Sequence, residues 1–140
     1  MGIFDGQGHV ISGLYMNHSL EYVGLFGYSS NTTIKNIVFD ESCYIESHYV
    51  TSSYAYVGSA IGYCTTYDGG KCVIGGIVNS ASVTFSGNAT DILYIGGIFG
   101  DMVSFLDYKL VVKNCVNYGS VRHLGTTYRP PYWRHFGELP

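Results

Sequence analysis

One short phrase returns three times along the chain: Tyr22-Val23-Gly24-Leu25-Phe26-Gly27, Tyr56-Val57-Gly58-Ser59-Ala60-Ile61-Gly62 and Tyr94-Ile95-Gly96-Gly97-Ile98-Phe99-Gly100. Aligned on the closing glycine, the copies step by 35 residues (27 to 62) and then 38 (62 to 100). Self-similarity at that period means stacked supersecondary units, each unable to bury its apolar face without a neighbour. A second register follows: Ile34-Lys35-Asn36-Ile37-Val38, Ile74-Gly75-Gly76-Ile77-Val78 and Val112-Lys113-Asn114-Cys115-Val116, with steps of 40 and 38 between the closing valines. Five residues beyond those valines, Cys43, Val83 and Val121 are expected to occupy equivalent places.

The units are strands rather than helices. They are rich in Val, Ile, Tyr, Phe and Thr, which fit a pleated, half-buried surface. Apolar runs are short and punctuated by Gly, Asn, Ser and Asp, and no window carries apolar residues at helical spacing over three turns. Glycine makes up 19 of 140 residues, a poor composition for helices. The pattern predicts an all-β chain, a β-solenoid in which equivalent residues of successive coils stack. Val23, Val57 and Ile95 form one inward ladder, Phe26, Ile61 and Phe99 a second, and Ile37, Ile77 and Cys115 a third. Asn36 and Asn114 are expected at corners, where Asn tolerates left-handed backbone. A 38-residue unit has room for two coils, so about six to seven coils are expected, a rod on the order of 30 Å long at ~4.8 Å per rung.

The recurring glycine phrase followed by Ile-x-Asn-x-x-Val resembles the GLUG-motif repeats of large surface-exposed proteins. Gly24-Leu25-Phe26-Gly27 matches the eponymous core and Gly97-Ile98-Phe99-Gly100 nearly does, whereas Ser59-Ala60-Ile61-Gly62 departs from it. The opening Phe4-Asp5-Gly6-Gln7-Gly8-His9-Val10-Ile11-Ser12-Gly13-Leu14 resembles the first coil that often precedes such repeats, so the resemblance covers roughly residues 3 to 121. It implies a right-handed parallel β-helix in an extracellular or cell-surface protein, often adhesin-like. It implies no particular enzyme activity and no catalytic residues.

Composition fits an exposed, weakly charged scaffold: 12% of residues are charged and the net charge is -3. Seven scattered Lys and Arg form no basic stripe, so no nucleic-acid partner is expected. No apolar run approaches 18 residues, so no membrane insertion is expected. Met1-Gly2-Ile3-Phe4 enters the first coil without a charged leader, which predicts a fragment of a longer secreted chain; a short intracellular copy is the alternative. The repeat domain is expected to span residues 1–124. Residues 125–140, with Pro130-Pro131, Trp133 and Phe136, are expected to form a cap on the last coil or a disordered tail.

Chemistry is sparse. No nucleophile elbow, phosphate loop or dinucleotide fingerprint occurs. His9, His18, His48, His123 and His135 share no ligand spacing, so neither metal nor cofactor is expected. Asp40-Glu41 and Asp101 with Asp107 are the acidic clusters; Asp40 and Glu41 read as a solvated corner. Cys64 and Cys72 bracket a turn-rich segment and are a candidate disulfide, with two free thiols as the equal alternative. Cys43 and Cys115 stand where other repeats carry Val or Ile and are expected to be buried apolar residues. Asn17, Asn31 and Asn88 open N-glycosylation sequons in predicted loops. Fourteen tyrosines remain: Tyr22, Tyr56 and Tyr94 are expected in the core, and Tyr44, Tyr49, Tyr54, Tyr63 and Tyr67 on the surface. The reading is a non-enzymatic structural or adhesive module contacting a host or matrix protein, a glycan, or neighbouring repeats of a longer chain. A carbohydrate-active β-helix enzyme of the polysaccharide lyase or hydrolase kind is the alternative, and a truncated fragment without independent function is a third.

Overall fold

The computed structural model describes residues 2–104 and 109–127, and the backbone of 132–134. Every strand pairing in it is parallel, and each joins residues one repeat apart, as in Val38↔Val78 and Val78↔Val116. Chain order and sheet order therefore interleave, and the chain is a parallel β-solenoid. Among the described residues, six sheets make up its walls. One sheet stacks Gly2–Asp5, Thr32–Lys35, Lys71–Gly75 and Lys109–Lys113; the next stacks Val10–Ile11, Val38–Phe39, Val78–Asn79 and Val116–Asn117. A third holds Tyr15–His18, Tyr44–Ser47, Ser82–Phe85 and Val121–His123, and a fourth holds Val50–Thr51, Asn88–Ala89 and Thr126–Thr127. The fifth, here the tyrosine sheet, comprises Tyr22–Val23, Tyr54–Val57, Ile92–Gly96 and Tyr132–Arg134. The sixth, the glycine sheet, comprises Phe26–Ser30, Ile61–Thr65 and Phe99–Val103.

This arrangement corrects the expected coil count. One 38-residue unit is a single wide coil of six strands, not two narrow ones, and each sheet holds three or four rungs rather than six or seven. Three rung spacings of ~4.8 Å give an axial length of about 14 Å, half the expected value. Short strands of two residues, such as Val38–Phe39 and Val50–Thr51, allow the chain to change direction often and so enlarge the coil.

The three expected ladders are present. Val23, Val57 and Ile95 are in register and buried. Phe26, Ile61 and Phe99 are in register, with Ile61 fully buried and the two phenylalanines half-buried against the core. Ile37, Ile77 and Cys115 lie one residue before the Val38–Val78–Val116 ladder and are buried. The third register of the sequence slips by two: Val83 pairs with Ile45 and Val121, not with Cys43. The connection from Phe39 to Tyr44 is two residues longer than that from Asn79 to Ser82, which displaces Cys43 into the turn. Cys43 is nonetheless buried, as is Cys115.

Corners are set by backbone chemistry. Asn36, Gly76 and Asn114 follow the Lys35–Gly75–Lys113 ladder, and all have left-handed φ, at 57°, 62° and 53°. Asn and Gly are the residues that adopt this region at little cost. Inside the coil, Asn79 sits in register with Asn117, and its amide donates to Asn117 Oδ1 at 2.9 Å and to the Ala81 carbonyl at 3.1 Å. The Ala81 amide donates back to Asn79 Oδ1 at 3.2 Å, so a fully buried amide has its partners supplied by its own turn and the next rung.

The chain does not leave the solenoid at residue 124, as the paired prolines predict. Thr126–Thr127 pairs with Asn88–Ala89, and Tyr132–Arg134 adds a rung to the tyrosine sheet with Tyr132 in register with Tyr94. A proline removes one donor at its own position, and Pro130 and Pro131 fall between these strands, so the ladder on either side keeps its donors. Trp133 thus belongs to a rung; Phe136 lies outside the described residues.

Candidate functional site

Strand alternation decides which side chains leave the core. In Tyr54–Val57 the side chains of Ala55 and Val57 are fully buried, so Tyr54 and Tyr56 face outward. Leu93 and Ile95 fill the same places in the next coil and turn Tyr94 outward. Tyr22, Tyr56 and Tyr94 are therefore half-buried on the outer face, not core residues as expected from their position beside the glycine phrase. Parallel in-register pairing sets them one above another. Ring centroids lie 5.2 Å apart for Tyr22–Tyr56 and 4.9 Å for Tyr56–Tyr94, with planes 20° and 2° from parallel.

A second column stands on the glycine sheet, where Tyr28 and Tyr63 are in register with ring centroids 5.6 Å apart. The columns touch: Tyr22 lies 5.4 Å from Tyr28, and Tyr56 lies 4.9 Å from Tyr63. Outer faces of two successive sheets can come this close only if the chain folds sharply between them. The glycines of the repeated phrase make that fold. A Cβ on Gly62 would meet the Gly27 carbonyl oxygen at 2.6 Å and the Val23 nitrogen at 2.9 Å, and one on Gly100 would meet the Gly62 oxygen at 2.5 Å and the Val57 nitrogen at 2.7 Å. The closing glycine is thus required because backbone abuts backbone at the corner. The phrase that reveals the repeat is the device that gathers the tyrosines.

Tyr54 and Tyr67 extend the array. Tyr54 packs beside Tyr56 and Tyr94 at 6.4 and 6.3 Å. The Tyr67 hydroxyl bonds to that of Tyr28 at 2.8 Å. Asn31, with φ of 49°, holds the Tyr67 backbone through both side-chain atoms: it donates to the Tyr67 carbonyl at 3.1 Å and accepts from the Tyr67 amide at 2.9 Å. Seven tyrosines thus form one continuous patch on two rigid sheets and one pinned loop. Tyr28 and Tyr67 are the most open members, at 46% and 44% exposure. Above Tyr63 the column ends in Asp101, which is nearly buried.

Burial and hydrogen bonding raise the pKa values of Tyr22, Tyr28, Tyr56 and Tyr63. Tyr22 is pushed up to about 12 by loss of solvent, reinforced by the Glu21 charge. Tyr56 and Tyr63 are raised chiefly by burial, with the Asp101 charge adding to it, and Tyr28 chiefly by its hydrogen bond to Tyr67. These four phenols are neutral throughout the physiological range. They offer ring surface, O–H donors and oxygen acceptors, and no nucleophilic phenolate.

The other sequence-derived candidates are dispersed. Cys64 and Cys72 meet in the core as free thiols with sulfurs 2.9 Å apart. Asn17 and Asn88 are exposed but lie in strands rather than loops, and Asn17 Oδ1 contacts His48 Nδ1 at 2.6 Å. Asn31 does lie between strands, its amide turned into the Tyr67 loop. Asp40 accepts from the Ser12 and Ser42 hydroxyls and from the Ser42 amide at 2.9 Å, which holds its carboxyl below the usual range and ties a solvated corner. Asp101 lies in a strand, and Asp107 is outside the described residues. Among the described residues no three His, Cys, Asp or Glu side chains gather to hold a metal ion, and no helix is long and apolar enough to cross a membrane. Tyr28 was missed in the sequence. Its signal is positional, since Tyr28 and Tyr63 both directly follow the closing glycine. No family model matches this chain, and no curated protein or solved structure is significantly similar to it.

Proposed function

We propose that this chain is a non-enzymatic structural or adhesive module of an extracellular or cell-surface protein, and that it contacts protein or glycan partners through the tyrosine array. The observation that supports this reading is the patch itself: seven contiguous tyrosines, stacked on in-register strands and pinned by Asn31. Tyrosine supplies wide amphipathic contact area with few rotatable bonds, and the β-scaffold has already ordered the rings before a partner arrives. The resemblance to surface-protein GLUG repeats supports the location.

Binding of the purified chain to a glycan array and a panel of extracellular-matrix proteins tests the reading. Tyr54→Ala with Tyr67→Ala is expected to weaken any captured partner tenfold or more, because a few aromatic contacts carry most of such energies and these two rings are among the most exposed of the array. Tyr15→Ala, which removes an exposed ring on a different sheet, is expected to leave binding unchanged. Equal binding by all three proteins contradicts the reading. Glycan cleavage that disappears in Asp101→Asn moves the assignment to the enzymatic alternative.

A further inference from the structure

The interior corner between the glycine sheet and the sheet containing Lys71–Gly75 repeats in every coil, but its side chains differ. In the first coil Ser29 lies across from Thr32, one residue before the Thr33–Val73 pair. In the third the corresponding residues are Met102 and Leu110. In the second they are Cys64, in register with Ser29 and Met102, and Cys72, in register with Leu110. Stacking alone thus turns both sulfurs toward the same interior corner, and they lie 2.9 Å apart, fully buried. Between them runs the loop that carries Tyr67. The equivalent connection in the first coil is the single residue Asn31.

We propose that Cys64 and Cys72 form an intramolecular disulfide that closes this inserted loop, formed during folding by exchange with a low-molecular-weight disulfide such as oxidised glutathione. The Cys64 thiolate attacks one sulfur of the oxidant, releasing one thiol and leaving a mixed disulfide. The Cys72 thiolate then attacks the Cys64 sulfur and releases the second thiol. The protein loses two S–H bonds and gains one S–S bond, while the oxidant accepts two electrons and two protons. The step belongs to folding because the folded site is closed to it. Both sulfurs are sealed from solvent, and burial together with the Cys72 contact pushes the Cys64 thiol up to about 12. Cys43 and Cys115 have no such partner: their sulfurs contact the Ile11 carbonyl at 3.2 Å and the Lys113 carbonyl at 3.4 Å. The inference does not depend on the contact role proposed above.

The test is refolding of the reduced, denatured chain in a glutathione redox buffer, followed by denaturation, alkylation with iodoacetamide and peptide mass spectrometry. Two labels are expected, on Cys43 and Cys115, with the Cys64 and Cys72 peptides joined. Four labels, or a bridge that includes Cys43 or Cys115, overturn the proposal. A second readout compares thermal unfolding of the chain refolded in the glutathione redox buffer with that of the chain refolded and held in excess reductant. Closing a loop of this length is expected to raise Tm by roughly 5–10 °C in the oxidised protein, and Cys64→Ser with Cys72→Ser is expected to abolish that difference. A wild-type Tm that is the same after oxidising and after reducing refolding also overturns it.

Discussion

Replacing Gly62 by alanine isolates the corner on which the site depends. The added methyl carbon would stand 2.6 Å from the Gly27 oxygen, 2.9 Å from the Val23 nitrogen and 3.2 Å from the Tyr22 carbonyl carbon. All three are backbone atoms of the preceding coil, so no side chain can rotate away and two strands must separate. Gly62 does not have left-handed φ, so the penalty is steric rather than conformational. Overpacking of this kind costs about 2–3 kcal/mol. At roughly 4 °C per kcal/mol for a chain of this length, Tm should fall by about 8–12 °C. Gly75→Ala is the internal control. Its nearest neighbours are the Lys113 side chain at 3.5 and 3.6 Å, an ordinary contact, and its φ is not left-handed either. That change should be neutral or stabilising by up to about 0.5 kcal/mol through the unfolded chain. Thermal unfolding of the three proteins, followed by circular dichroism under one set of conditions, makes the comparison. A Gly62→Ala Tm within 2 °C of the parent, or an equal loss from Gly75→Ala, would refute the backbone-contact argument.

Asn79→Ala should destabilise by about 2 kcal/mol in urea unfolding, because the buried Ala81 amide loses its acceptor and the Ala81 carbonyl loses its side-chain donor. Asn117→Ala should be milder, since Asn117 lies nearer the surface. Alkaline pH should unfold the protein through the tyrosine array. Tyr22, Tyr28, Tyr56 and Tyr63 have folded-state pKa values above the unfolded one, so their contribution is complete below about 10 and is lost as pH rises through about 12, the Tyr22 value, and beyond. Ultraviolet difference absorbance should show a late-titrating group of tyrosines whose ionisation coincides with loss of β signal.

The periodicity of the glycine phrase was enough to identify stacked strands, because glycine recurring at one place in every unit marks a repeated corner or close backbone approach. It was not enough to size the coil. A 38-residue unit divides equally well into one six-sided turn or two narrow ones, and two-residue strands such as Val50–Thr51 leave no alternation to read. The Cys43 slip arose from two extra residues in a turn, which a gap-free count cannot see. The final rung is harder to read because Arg134 stands in register with Gly96, where the phrase carries its first glycine, although Phe136-Gly137 repeats the closing pair. The tyrosine site was the most accessible of the misreadings. Val57 and Ile95 were assigned inward, and strict alternation then sends Tyr56 and Tyr94 outward. What the residues alone could not supply was the closeness of the two columns, which depends on the fold at the corner.

Nuclear Overhauser contacts between backbone protons of neighbouring rungs test the one-coil-per-repeat arrangement most directly. Cross-strand contacts are expected between Val38 and Val78 and between Val78 and Val116, separations of 40 and 38 residues. Strong contacts between strands about half that distance apart in the chain, with none at a full repeat, would contradict it.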